Sequence, residues 1–101
     1  MVGANISYTE ATANTTDVAL LGATQRLRLL GVMVRETAGA VATLNIEHGT
    51  ANSSPIMVPI NLAAAESKVI WFGFPGLPCA SGLWLERLTG TTQVIAITTV
   101  L

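Results

Sequence analysis

The sequence predicts an all-β protein with seven or eight short strands, which form an antiparallel β-sandwich or barrel. Runs of alternating apolar and polar residues recur about every 10 residues, and stretches rich in Gly, Pro, Ser and Thr separate them. No apolar pattern of helical period lasts long enough for a helix to stand alone. The chain has 101 residues, which is enough for one core and too few for two.

The first residues differ in composition from the rest. Residues 1–17 are small and polar with several threonines, which favour extended backbone. We therefore expect an extended N-terminal arm over residues 1–17 and a single β-sandwich domain over residues 18–101. The domain begins with a short strand at Val18–Leu21, and Gly22 ends this strand.

The stretch from Arg26 to Val34 is the next predicted strand. Its alternation places Leu29 inward, but the phase then slips by one residue. Val32 and Val34 keep the core face only if Leu30-Gly31 forms a β-bulge, and glycine inside a strand pattern often marks one.

A pair of strands is predicted on either side of a loop at residues 49–55. The first runs from Ala40 to His48, and its inward residues are Ala42, Leu44 and Ile46. The second has Ile56, Val58, Ile60 and Leu62 on its inward face. Pro59 cannot donate to a ladder, so this second strand is expected at a sheet edge or bulged. The stretch from Leu62 to Glu66 is compatible with one helical turn.

Three further strands are predicted at Lys68 to Phe74, Gly82 to Leu88 and Gln93 to Leu101. Thr89 to Thr92 is interpreted as a hairpin-type turn between the last two. The first and last of the three are apolar on both faces. Because a two-layer sandwich buries one face of each strand, the other face must meet solvent, a loop or another chain. Oligomerisation is the simplest way to cover it.

Charge is the most unusual feature of the composition. Only 11% of the residues are charged, against about 25% in typical domains, and the net charge is −1. A surface so poor in charge predicts that another protein covers part of it. The five basic residues are scattered, which argues against nucleic acid as a partner. No signal-peptide pattern or long apolar stretch indicates secretion or a membrane partner, so synthesis in a cytoplasm is expected.

The residue types that carry chemistry are sparse and isolated. His48 and Glu47 are neighbours on a strand and point to opposite faces, and the carboxylates are expected on the solvated surface. Cys79, the single cysteine, is expected to be a buried hydrophobic residue. No metal-ligand spacing, phosphate-binding loop or nucleophile motif occurs. We therefore predict no enzyme, no cofactor, no metal and no small-molecule substrate; a small hydrolase using Glu86, Glu47 or His48 is a minor alternative.

The aromatic residues are the best candidates for contacts. Two of Trp71, Phe72, Phe74 and Trp84 are expected in the core, and the others at a contact with a partner, because aromatic residues are enriched in interfaces. The residues predicted for self-association or for contact with another partner surface are Trp71, Phe72, Phe74, Trp84, Ile95, Ile97 and Leu101.

Several segments in this order resemble small jelly-roll or β-sandwich decoration (cement) proteins of tailed-phage capsids. They are Arg26-Leu-Arg-Leu-Leu-Gly-Val-Met-Val, residues 42–50, Phe74-Pro-Gly-Leu-Pro, Ser81-Gly-Leu-Trp-Leu-Glu and the closing Thr-rich strand. The resemblance implies a non-enzymatic virion protein on the capsid exterior. Such a protein forms a homo-oligomer, with a trimer favoured, and stabilises the shell by binding between major capsid protein subunits. The alternative is a carbohydrate- or receptor-binding β-sandwich module of a head or tail fibre.

Overall fold

The computed structural model describes residues 4–22 and 27–100, and every regular element in them is a β-strand. Two antiparallel sheets pack face to face, which confirms the predicted all-β sandwich. The strands are β1 (Ala4–Thr9), β2 (Val18–Leu21), β3 (Leu27–Glu36), β4 (Ala42–His48), β5 (Ile56–Leu62), β6 (Ser67–Trp71), β7 (Leu77–Pro78), β8 (Leu83–Thr89) and β9 (Thr92–Val100).

The strand order is that of a jelly roll. One sheet has the order β1-β9-β3-β6, with the short β7 also paired to β3, and the other has the order β2-β8-β4-β5. When β7 is left aside, the strands pair from the outermost in sequence to the innermost: β1 with β9, β2 with β8, β3 with β6, and β4 with β5. Two-sheet wrapping of eight strands in this way defines the jelly roll.

The core lies between the sheets and takes inward side chains from both. On β3, Leu29, Val32 and Val34 are all buried, although the alternation alone would separate Leu29 from the other two. The register with β9 shifts between Leu29 and Gly31, which confirms the predicted bulge. The extra residue, Leu30, lets the strand keep its apolar side chains on one face.

The pair β4 and β5 matches its prediction except at one end. Six of their seven predicted inward side chains belong to the core cluster: Ala42, Leu44, Ile46, Val58, Ile60 and Leu62. The inward assignment of Ile56 was wrong, because a register shift between Ile46 and Glu47 leaves Ile56 57% exposed. Pro59 lies exposed on β5, which is an edge strand as predicted.

Two predicted turns are corrected. Residues 89–92 do not form a hairpin, because β8 belongs to the four-stranded sheet and β9 to the five-stranded sheet. This segment is a corner where the chain crosses between the sheets, and Thr92 pairs there with Asn14. The stretch from Leu62 to Glu66 is not helical; the Glu66 N–H donates to the Ala63 carbonyl at 3.1 Å in a tight turn.

The N-terminal segment contributes a strand to the sandwich. Within residues 1–17, β1 pairs with β9 at the edge of the five-stranded sheet, with a bulge between Ile6 and Tyr8. Asn14 then exchanges two backbone hydrogen bonds with Thr92, at 2.9 and 3.0 Å. The chain is thereby guided from the first sheet to β2 in the second.

Candidate functional site

The outward surface of the five-stranded sheet is apolar at its centre. Five outward side chains of β3, β6 and β9 form what we call the apolar face: Met33, Val69, Trp71, Ile95 and Ile97. The registers place Val69, Met33 and Ile95 in one row across the three strands, and Trp71 and Ile97 on either side of Gly31 in the next. Directly paired residues of antiparallel strands share a face, so these side chains form one continuous surface.

Val69 and Trp71 are the most exposed members of the apolar face. Their side chains are 68% and 58% exposed, whereas Met33, Ile95 and Ile97 are half-buried. The six-membered ring of Trp71 occupies the space that a side chain at Gly31 would need, since even a methyl group there would overlap it. The glycine of the bulge therefore provides the seat for the indole ring.

An aromatic loop continues the apolar face beyond β6. Phe72 is 38% and Phe74 62% exposed. The N–H groups of Phe72 and Gly73 both donate to the carbonyl of Leu30, at 2.8 and 3.3 Å, so the bulge of β3 also fixes this loop. The aromatic side chains are thus held at one corner of the apolar face.

A groove of about 370 Å³ runs across the same sheet surface. Met33, Val69 and Ile95 provide its apolar lining. Polar and charged residues also line the groove: Thr9, Glu10, Arg35, Ser67, Lys68 and Gln93. The Arg35 Nε donates to the Gln93 Oε1 at 2.7 Å, so the exposed Arg35 guanidinium already has a partner.

The structure brings together most, but not all, of the predicted contact residues. Trp71, Ile95 and Ile97 share the apolar face, Phe72 and Phe74 adjoin it, and Trp84 lies on the other sheet; Leu101 lies outside the described residues. The expectation that two of the four aromatic residues lie in the core was wrong, because none of them belongs to the buried cluster. Val69 and Met33 were missed, although Val69 has the same strand phase as Trp71.

The outward surface of the four-stranded sheet is polar. We call it the polar face, and it comprises Thr43, Asn45, Glu47, Trp84 and Glu86. The Trp84 Nε1–H donates to Asn52 Oδ1 in the β4–β5 loop, and the Asn52 amide in turn donates to Asp17 Oδ2 at 2.8 Å. The residues of this surface are therefore bonded to one another and to the loop that covers them.

Burial of charge is the feature that the sequence analysis missed. Of the ten charged residues whose side chains the structure describes, four are buried: Glu10, Glu36, Glu47 and Arg87. The expectation that the carboxylates lie on the solvated surface was wrong for these three glutamates. Burying them leaves the outer surface even poorer in charge than the composition indicates.

Glu10 and Arg87 form a buried ion pair beside the corner at residues 89–92. The Arg87 Nη2 donates to Glu10 Oε1, its Nη1 to the Thr16 carbonyl at 2.7 Å, and its Nε to Thr92 Oγ1 at 3.0 Å. Glu10 Oε1 also accepts the N–H of Val94 at 2.7 Å. The pair thereby ties the segment after β1 to β8 and β9.

Glu36 is buried without a counter-ion but accepts several backbone N–H groups. They come from Ala65, Ala38 and Gly39, at 2.7, 2.6 and 2.9 Å. The Ala65 N–H contributes most to lowering the pKa of the Glu36 carboxyl.

Cys79 shows the opposite effect: burial raises the pKa of its thiol to about 11, so it stays protonated and unreactive.

The residues named for the hydrolase alternative are only partly brought together. Glu47 and Glu86 are in contact on the polar face, and burial, followed by Glu86, raises the pKa of Glu47. His48 is engaged elsewhere, since its Nε2 accepts the Ser81 N–H at 3.0 Å. Within residues 4–22 and 27–100, no three His, Cys, Asp or Glu side chains are grouped so that they could hold a metal ion.

No helix in the described part of the chain has the length and apolar character to cross a membrane. Comparison with models of protein families, with curated proteins and with solved structures finds no match to this chain.

Proposed function

We propose that this chain is a non-enzymatic structural protein of a virion, a capsid decoration protein that self-associates and stabilises the shell by binding between major capsid protein subunits. It acts on the capsid exterior, with a trimer as the favoured assembly. The observation that carries the proposal is the apolar face, where Val69 and Trp71 on the edge strand β6 are more than half exposed beside the apolar side chains of β3 and β9. A continuous apolar surface of this kind is typical of protein contacts.

The distribution of charge supports contact with protein. Four of the ten described charged side chains are buried; beside the apolar face, Arg35 donates to Gln93 and Lys68 donates to the Asn61 carbonyl. The centres of protein interfaces are depleted in charge and enriched in aromatic residues and methionine, as is this surface. Nucleic acid would require the opposite distribution, with cationic side chains grouped on one side.

The fold agrees with this function and also with its alternative. Jelly rolls occur in viral capsid domains and in lectin domains. The exposed aromatic side chains of Trp71, Phe72 and Phe74 are the one observation that favours a carbohydrate- or receptor-binding module, because sugars stack on such rings. They lie beside aliphatic side chains instead of converging polar groups, which favours a protein partner.

Binding to the assembled shell explains how such a protein stabilises it. A partner that binds the assembled state and not the dissociated subunits shifts the equilibrium towards assembly by mass action. A pre-formed sheet surface serves this purpose well, since it binds without first having to fold.

The proposal is tested by the native mass of the protein and of two matched lysine variants. Val69→Lys places a charge on the apolar face, and Ile56→Lys replaces a similarly exposed residue, 68% against 57%, on the edge of the other sheet. Light scattering after size exclusion should give a discrete oligomer for the wild type and for Ile56→Lys. Val69→Lys should be a monomer, because the contact would bury an unpaired charge.

Two results would overturn the proposal. One is a wild-type monomer at every concentration, and the other is an unchanged mass of Val69→Lys. Binding of the wild type to immobilised glycans, with loss of that binding in Trp71→Ala, would instead establish the carbohydrate-binding alternative.

A further inference from the structure

Glu47 is the most deeply buried carboxyl group of the described residues. Only 1% of the residue is exposed, and no donor reaches its Oε1. Glu10 and Glu36 are buried too, but Glu10 has the cation of Arg87 and Glu36 accepts three backbone N–H groups. A buried carboxylate oxygen without a donor is unfavourable, so the site as a whole needs another source of stabilisation.

The surroundings of Glu47 supply negative charge and no positive charge. Asn45 pairs with Glu86 on β8 and Glu47 pairs with Trp84, so the Glu47 and Glu86 side chains are diagonal neighbours on one face of the sheet. Besides burial, Glu86 and then Asp17, ahead of β2, raise the pKa of Glu47. No ionisable side chain occurs in β2, in β5 or in residues 49–55 between β4 and β5. His48, the next residue on β4, is bonded to Ser81.

Residues 49–55, which we call the cover loop, close over this site. The Ser54 N–H donates to the Glu47 carboxyl, and Asn52 links the loop to Asp17 and to the indole of Trp84. The loop also packs tightly against its own base, because a methyl group at Gly49 would overlap the Ser54 side chain. Closure of the cover loop therefore depends on the groups beneath it.

We propose that Glu47 and Glu86 share one proton, and that this proton keeps the cover loop closed, so that the loop loosens as the pH rises. With one group protonated, its O–H donates to the other carboxylate and removes one of two like charges. Without the proton, two carboxylates in contact repel each other beneath the loop, with Asp17 alongside. This device depends only on the polar face and is independent of the proposed function.

The sign of the pH effect follows from the raised pKa of Glu47. Burial is its main cause, and Glu86 is the next. The Ser54 N–H favours the ionised carboxylate and so lowers the pKa of Glu47, but burial and Glu86 outweigh it. The folded chain therefore holds the proton more tightly than the unfolded chain does. The contribution of this proton to the free energy of unfolding is fully present below the ordinary pKa of a carboxyl group. It is lost as the pH rises through the raised pKa of Glu47.

The emission of Trp84 reports on the loop, because Trp84 donates to Asn52 within it. The chain has two tryptophans and one tyrosine, so Trp71→Phe leaves Trp84 as the single tryptophan, which is excited selectively over Tyr8 at the long-wavelength edge of its absorption. In that background the emission should shift to longer wavelength between about pH 4 and pH 9, as the cover loop loosens and water reaches the indole. Urea unfolding over the same range should show a parallel loss of stability.

Two variants of the pair and one control make the test specific. Glu47→Gln, which cannot ionise, should give a flat response, and Glu86→Gln should lower the midpoint by about one pH unit, since it removes the nearest like charge. Glu66→Gln alters a carboxyl in the β5–β6 turn, where it accepts the Ala63 N–H at 2.8 Å, and should keep the wild-type response. An unchanged response in Glu86→Gln, or no pH response with Glu47 and Glu86 both intact, would overturn the proposal.

Discussion

The pairs Glu10–Arg87 and Glu47–Glu86 each contain a buried glutamate, but with opposite kinds of neighbour. Glu10 has a cation, and its carboxylate also accepts a backbone N–H. Glu47 has another acid as its neighbour and one oxygen without a donor. Both glutamates are almost inaccessible, so burial alone does not determine the state of a carboxyl group. The state of each carboxyl group depends on the residue that β8 places beside it. Glu10 has Arg87 as its neighbour, and Glu47 has Glu86, one residue earlier on the same strand.

This difference gives the two sites different tasks. The Glu10–Arg87 pair ties three separate segments together: the segment after β1, β8 and the start of β9. A buried ion pair contributes little net stability, but it makes the loss of one partner costly. The Glu47–Glu86 pair makes no such connection, and its state depends on the pH.

The largest effect is expected from removing the cation of the first pair. Arg87→Met keeps the apolar length of the side chain but leaves the Glu10 carboxylate buried without a counter-charge. We expect a loss of about 3–5 kcal/mol in the free energy of unfolding, measured by urea denaturation at neutral pH. The double variant Glu10→Gln with Arg87→Met should recover much of that loss, and a single variant as stable as the wild type would contradict the comparison.

A smaller effect is expected at Glu36, which is buried with N–H donors and no cation. Glu36→Gln places an amide against backbone N–H groups and should destabilise the fold at neutral pH. Because the pKa of Glu36 is lowered, its contribution is present above the ordinary carboxyl pKa and is lost as the pH falls through the lowered value. Urea unfolding at stepped pH should show the variant approaching the wild type in acid; a difference independent of pH would refute this.

The smallest effect is expected from giving the second pair the character of the first. Glu86→Lys supplies Glu47 with an opposite charge and should stabilise the fold by about 1 kcal/mol at pH 8. The decline in stability with rising pH should disappear, and Glu86→Gln should lie between the two. Thermal unfolding of the three proteins at pH 8 measures this order, and a Lys variant less stable than the Gln variant would count against it.

Local signals were sufficient for much of the fold. The phase slip after Leu29 predicted the bulge, and Pro59 predicted an edge strand, because each effect acts on its own strand. The composition of residues 89–92 indicated a turn but could not distinguish a hairpin from a corner between sheets. That distinction depends on which distant strands pair with β8 and β9.

The buried carboxyls show where sequence patterns reach their limit. The donor from Ala65 to Glu36 is 29 residues away, and Arg87 is 77 residues from Glu10. No spacing rule connects such residues before the sheets are assembled. Only part of the apolar face was predicted. The sequence showed that β6 and β9 are apolar on both faces, but it did not show that β3 lies between them and adds Met33 to the same surface.

The glycine at position 31 has a consequence for recognition. Because the ring of Trp71 is seated where a side chain at Gly31 would lie, the indole is restricted before any partner arrives. An exposed aromatic side chain normally loses rotational entropy when it is captured, and that loss weakens binding. In this protein, folding already removes part of the rotational entropy of the Trp71 ring. The absence of a side chain at Gly31 therefore contributes to binding affinity, because it allows Trp71 to be fixed in advance.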